Sequence, residues 1–201
     1  MLRILVSLVL ISTLVHTSSS SSYSTTSNST RKSINTYKKF IKNECNSTTY
    51  PDFCYKYLSH YASQVKTNRV TLTKVAVNVT VLVAKSTFRT LTKLSKLKKL
   101  THAETSVLAD CRENMDDTVD RLQQSAEDLA GLNGTSTAEE RFEWDSIKTW
   151  MSAAITDEYT CTDGSDELKV RASLKKKIQT IISNVVWMNS NALALVNKLS
   201  Y

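Results

Sequence analysis

The chain has 201 residues, with 26 Lys and Arg against 19 Asp and Glu, a formal net charge of +7, three glycines and one proline. So few bend-forming residues argue against a protein of many strands and turns. The scattered Gly131, Gly134 and Gly164 do not make a phosphate-cradling loop.

The first segment reads as an export signal at residues 1–17. Arg3 gives the positive end, Ile4 to Val15 a twelve-residue, largely apolar run, and Val15-His16-Thr17 a cleavage site. The run is too short to span a bilayer, and no later segment is continuously apolar for long enough. The expectation is a secreted, soluble protein that makes no membrane contact after signal removal. Residues 18–34, rich in Ser and Thr, have little to bury and are expected to be a disordered lead-in. An exported chain is a poor candidate for nucleic acid despite its charge, and few aromatics interleave with its basic residues.

Next, Arg31 to Cys45 and Asp52 to Lys66 read as short helices broken at Tyr50-Pro51, a helical hairpin at about 35–66. Leu72 to Val83 is ambiguous. Val75, Val77, Val79, Val81 and Val83 alternate as in a strand, whereas Leu72, Val75, Val79 and Leu82 make a helical face. Pattern alone leans to strand, but a lone strand among helices has no ladder partner, which tips the reading to helix. Leu108, Cys111, Met115, Val119, Leu122, Ala126 and Leu129 form a helical seam. That helix is entered through a capping box at Thr101-His102-Ala103-Glu104 and left at Gly131 and Gly134. A third helix opens at Thr137, or at Ser136 with Glu139 reaching back, and carries Ile147, Trp150, Met151 and Ala154 inward. The last runs from near Ser165 to the end on the seam Ile178, Ile181, Val185, Met188, Ala192, Leu195 and Leu199. The fold expected is all-α: an N-terminal helical hairpin, then a four-helix up-and-down bundle at about 70–200, together one domain at 35–201.

Four cysteines in an exported chain point to two disulfides, and counting leaves all three connectivities open. There is no Cys-x-x-Cys, so neither a metal nor a cofactor is expected. Asn28, Asn46, Asn78 and Asn133 head Asn-x-Ser/Thr sequons and are candidates for N-glycosylation. Past the leader only His60 and His102 could serve as an imidazole base, and neither has a triad setting. Charge is segregated. Residues 31–100 hold fifteen Lys/Arg against two acids, residues 101–168 four against seventeen, and residues 169–201 six against none. Such a split suits an acidic face turned to a cationic protein and basic parts held by an acidic polysaccharide. Glu113, Asp117 and Asp120 follow at steps of four and three along one side of the third-cysteine helix. Like charges so placed cost roughly 0.2–0.5 kcal/mol each, which suggests an external use.

Four segments in order resemble the plant invertase and pectin methylesterase inhibitors, over Tyr37 to Leu199. They are Cys45-Asn46-Ser47-Thr48-Thr49-Tyr50-Pro51-Asp52-Phe53-Cys54; Ala109-Asp110-Cys111-Arg112-Glu113 with Thr118-Val119-Asp120-Arg121-Leu122 and Ser125; Trp150-Met151-Ser152-Ala153-Ala154-Ile155-Thr156 leading to Thr160-Cys161-Thr162-Asp163-Gly164; and Ser190-Asn191-Ala192-Leu193-Ala194-Leu195. The resemblance implies bridges Cys45–Cys54 and Cys111–Cys161. It implies a non-catalytic inhibitor that binds its enzyme one to one and covers the substrate cleft. Carried over, the partner-binding residues are Glu113, Asp117 and Asp120 with Thr160 and Asp163. Asp116 is an addition, and Asp110 is structural beside the bridge. The partner implied is pectin methylesterase, in the cell wall or apoplast. The Trp-Met-Ser-Ala-Ala stretch is similar to that branch, and the Pro-Lys-Phe motif of the invertase inhibitors is missing, Pro51 being the only proline. Met115 departs from the branch, which more often has an aromatic there. Such domains also lead full-length pectin methylesterases; with the sequence running to Tyr201, the expectation is an inhibitor domain without a catalytic one. Invertase inhibition is the alternative reading, and a wall-bound protein holding acidic pectin through the basic hairpin is a third.

Overall fold

The computed structural model describes residues 22–133 and 137–199, with side chains from residue 30 onward. The signal expected at residues 1–17 therefore lies outside the described residues. The chain divides into two units, 1–33 and 34–201. Helix α1 (Ser22–Cys45) begins in the first unit and ends in the second. Its first residues fall within the stretch expected to be a disordered lead-in, so the helix extends the expected Arg31–Cys45 segment toward the N-terminus.

The second unit continues, past the bend at Tyr50, with α2 (Pro51–Leu58), where Pro51 occupies the first turn and gives up no hydrogen bond by lacking an N–H. A 3₁₀ turn at Ser59–Tyr61 and the short α3 (Ala62–Val65) follow, so the segment expected as one helix from Asp52 to Lys66 is broken in two. Lys66, with φ of 53°, reverses the chain into α4.

Helices α4 (Arg69–Leu94), α5 (His102–Gly131), α6 (Ala138–Glu167) and α7 (Ala172–Val196) make the bundle. Short connections at 95–101, 132–137 and 168–171 make successive helices antiparallel. Neighbours pack in a closed ring, with α5 and α6 the most extensive pair and α7 closing against α4. There is no strand among the described residues. The valine-rich segment is helical: Val75, Val77, Val79 and Val81 are all buried, because α4 is enclosed on more than one side.

The core is the expected seam in α5, with Leu108, Cys111, Met115 and Leu122 fully buried and Ala126 partly so. In α7 the buried position is Ile182, not Ile181, and Leu199 packs at the edge. In α6 Ile147, Met151 and Ala154 point inward as expected, but Trp150 is 37 % exposed. The inward stripe runs through Trp144, Ile147, Met151, Ala154, Glu158, Cys161 and Ser165, and Trp150 lies on its flank. Helix α7 begins at Ala172 rather than near Ser165. Ser165 is a buried residue of α6 whose hydroxyl donates to the Thr162 carbonyl at 2.7 Å.

Polar clasps tie the ends together. The Thr101 hydroxyl accepts from the Glu104 N–H, and the Glu104 carboxylate accepts from the Thr101 N–H at 3.0 Å, completing the expected capping box. The same carboxylate accepts from the N–H and Nε–H of Arg171, at 3.1 and 2.5 Å, which locks the α6–α7 turn onto the start of α5. Glu104 is fully buried, and these donors, the Arg171 side chain first, hold its carboxyl down at about 2. Asn191 on α7 pins the Tyr-Pro bend: its Oδ1 accepts from the Tyr50 N–H at 2.8 Å, and its Nδ2 donates to the Tyr50 carbonyl at 3.0 Å.

Candidate protein-binding groove

Two disulfides are present, Cys45–Cys54 and Cys111–Cys161. The first staples the bend between α1 and α2. The second joins the first third of α5 to the last third of α6, with Cα atoms 4.5 Å apart. It sets how closely those two helices approach and so shapes the groove outside them.

That groove has two halves. In the half over the bridge, Asp110, Glu113 and Asp117 of α5 face Thr160, Asp163 and Glu167 of α6 around a cleft of about 470 Å³, with Cys161 in its wall. In the half toward the α5–α6 turn, Asp120 and Asp128 face Glu143 around a cleft of about 450 Å³ that Phe142 and Trp150 also line. Eight carboxylates thus line one helix–helix groove. Neighbouring carboxylates along such a groove reinforce one another's potential and attract a cationic surface.

The structure brings Glu113, Asp117, Thr160 and Asp163 together and places Asp120 one turn further along the same groove. All five are exposed. Asp116 is exposed on α5 but lines neither half. Asp110, expected to be structural, is an exposed residue of the groove wall. The Thr160 hydroxyl donates to the Thr156 carbonyl at 2.9 Å, so its free capacity toward a partner is as an acceptor.

Among the lining residues that sequence reasoning missed are Asp128, Phe142, Glu143, Trp150 and Glu167. Phe142, 75 % exposed, was detectable as a large apolar residue set among Glu139, Glu140, Arg141 and Glu143 at the start of α6. Also missed was the strut beneath the groove, where Arg121 Nε of α5 donates to Asp157 Oδ2 of α6 at 2.8 Å. Beside it Glu158 is fully buried. Its Oε1 accepts from Asn189 Nδ2 at 3.1 Å, while Glu158 Oε2 and Asn189 Oδ1 are both buried without a partner. Burial, against the hydrogen bond from Asn189 and with the nearby Asp157, pushes the Glu158 carboxyl up to about 8. A protonated Glu158 supplies one donor where the ionised form leaves two orphaned acceptors.

The sequon residues Asn46, Asn78 and Asn133 are exposed, and the Asn28 side chain lies outside the described residues. His60 and His102 are exposed and line neither half of the groove. No helix among the described residues is long and apolar enough to cross a membrane.

A cross-linked bundle that turns one charged helix–helix groove to solvent has the form of a rigid, non-catalytic scaffold. The comparisons with known proteins give that class its family. The family model "Plant invertase/pectin methylesterase inhibitor" matches residues 39–195. Pectinesterase inhibitor 9 of Arabidopsis thaliana is 37% identical over 166 residues, covering 81% of each chain. Pectinesterase inhibitor 10 of the same plant is 36% identical over 158 residues, 79% of this chain, which spans 50% of that relative's length. The crystal structure of a mutant form of a pectin methylesterase inhibitor from Arabidopsis superposes with a TM-score of 0.62 at 20% identity, over 78% of this chain and 94% of that one. The chain belongs to the plant invertase/pectin methylesterase inhibitor family and is an inhibitor protein rather than an enzyme.

Proposed function

We propose that this protein inhibits pectin methylesterase in the cell wall after export. It binds the enzyme one to one and lays the α5–α6 groove over the substrate cleft. The observation that carries this is the gathering of Glu113, Asp117, Thr160 and Asp163 around one cleft braced by the Cys111–Cys161 bridge, in a chain whose relatives are named pectinesterase inhibitors. The enzyme face that fits is cationic and convex. Contact through several carboxylates speeds encounter and makes binding weaken as salt rises. The missing Pro-Lys-Phe motif speaks against invertase as the target.

Methanol release by a plant pectin methylesterase, titrated with the purified chain at mildly acidic pH, tests this. The expected result is an end point at one inhibitor per enzyme, with binding weakened by Asp117→Lys. Lack of inhibition of every isoform tried, or loss of sucrose hydrolysis by invertase instead, overturns it.

One observation favours a second role, retention on acidic pectin. Tyr50 and Phe53 lie against Trp187 with ring centroids 5.6 and 5.1 Å away, Phe53 lies 4.5 Å from Tyr57, and Lys56 Nζ is 5.7 Å from the Tyr57 ring. These half-exposed rings with an ammonium beside them suit the C–H faces and carboxylates of a uronate chain. A chain that is not retained on de-esterified pectin rules this role out, and retention that survives both Trp187→Ala and Lys56→Glu rules out these rings as its site.

A further inference from the structure

The half of the groove near the α5–α6 turn differs in character from the half over the bridge. Phe142 and Trp150, 75 % and 37 % exposed, line its cleft of about 450 Å³. Two large rings kept in water beside an open cavity are the mark of a contact surface. Asp120, Asp128 and Glu143 edge the same cavity. The cation in its wall, Arg121, is committed through Nε to Asp157 at 2.8 Å. Asp128 takes a hydrogen bond from Gln124 at 2.6 Å, which leaves its charge in place.

These surroundings select their occupant. An anion meets three carboxylates and no free cation in the lining. A purely apolar side chain covers the rings but strips water from the carboxylates without replacing it. A long side chain with an apolar stem and a cationic head serves both parts, the stem against the rings and the head among the carboxylates. A guanidinium fits better than an ammonium, because it is planar, weakly hydrated and stacks on an indole face.

We propose that this cavity is the anchor site for an arginine side chain projecting from the partner protein, a second contact beside the carboxylates over the disulfide. As a contact with the enzyme it rests on the function proposed above, but the cavity's preference for a guanidinium is testable without any enzyme. In the full chain labelled with ¹⁵N, the Trp150 indole N–H resonance, assigned through Trp150→Phe, is followed at low salt. The probes are N-acetyl-arginine amide and its uncharged counterpart N-acetyl-norleucine amide. The arginine probe shifts the resonance, the norleucine probe does not, and the response vanishes in Asp128→Asn/Glu143→Gln. Equal shifts from both probes, or none from either at tens of millimolar, overturn the assignment. With pectin methylesterase as the partner, Phe142→Ser and Trp150→Ala each weaken binding by about tenfold or more, as truncating an anchor contact does. Weakening by Asp117→Lys alone, with both ring variants neutral, overturns the anchor and leaves the inhibitor reading standing. If the unmodified chain binds no pectin methylesterase, the inhibitor reading falls, and the arginine probe by itself upholds or overturns the cavity's preference.

Discussion

Replacing Glu158 by glutamine is the sharpest test of the core. In the folded chain the carboxyl is fully buried and pushed up to about 8, against 4.5 when unfolded. Between those two values the folded state keeps a proton that the unfolded state has lost, so stability falls as pH rises from 4.5 to 8 and levels off above. Each pH unit across that window is worth about 1.4 kcal/mol, and the whole effect is on the order of 3–5 kcal/mol, a large part of the roughly 5–15 kcal/mol that holds a domain together. Glutamine keeps the acceptor used by Asn189 Nδ2 and puts a permanent donor where Oε2 and Asn189 Oδ1 are both unpartnered. Glu158→Gln should therefore match the parent near pH 5 and exceed it at pH 8, with a urea midpoint higher by roughly 1–3 M. Far-UV circular dichroism during urea unfolding at pH 5, 6, 7 and 8 measures this, with the difference between the two proteins as the readout. Parallel pH profiles for parent and variant would refute the reasoning.

Glu104 acts in the opposite pH direction. Its carboxyl is held at about 2 by Arg171 and the Thr101 N–H, so the stability it adds is present above pH 4.5 and is lost as pH falls toward 2. Glu104→Gln should flatten that part of an acid-unfolding curve. The two bridges differ in loop length, 50 residues against 9. Removing Cys111–Cys161 as a double serine variant should cost roughly 4 kcal/mol and removing Cys45–Cys54 roughly 3, measured by urea unfolding under oxidising conditions. Lys99, with φ of 62°, holds a left-handed conformation in the α4–α5 turn at a cost of about 1–2 kcal/mol. Lys99→Gly should raise the melting temperature by a few degrees once the entropy of glycine is subtracted.

The parts legible in the sequence are those fixed by local chemistry. The α5 seam from Leu108 to Leu129 is uninterrupted, and its start carries both halves of a capping box, so element, face and boundary all read correctly. The cysteine pairing needed the family resemblance, since counting left three choices. In α4 the period was ambiguous because a helix packed on several sides buries valines at every second position. The α6–α7 boundary was misplaced because Ser165 looks like a helix start, whereas the real start follows Arg171, whose N–H goes to Glu104, 67 residues away in sequence. The inward stripe of α6 was misread at Trp150 because its own next members include Glu158, a charged type that no periodicity rule counts as core. Similarly, the acidic row of α5 was visible as steps of three and four, but its partners on α6 depend on the register that Cys111–Cys161 imposes.

Hydrogen exchange with and without a bound pectin methylesterase tests most directly whether the α5–α6 groove is the recognition face. The account predicts protection in the stretches 110–128 and 142–167, with α4 and α7 exchanging as in the free chain. Protection confined to α4 and α7, with the groove helices unchanged in a complex that still inhibits, would contradict it.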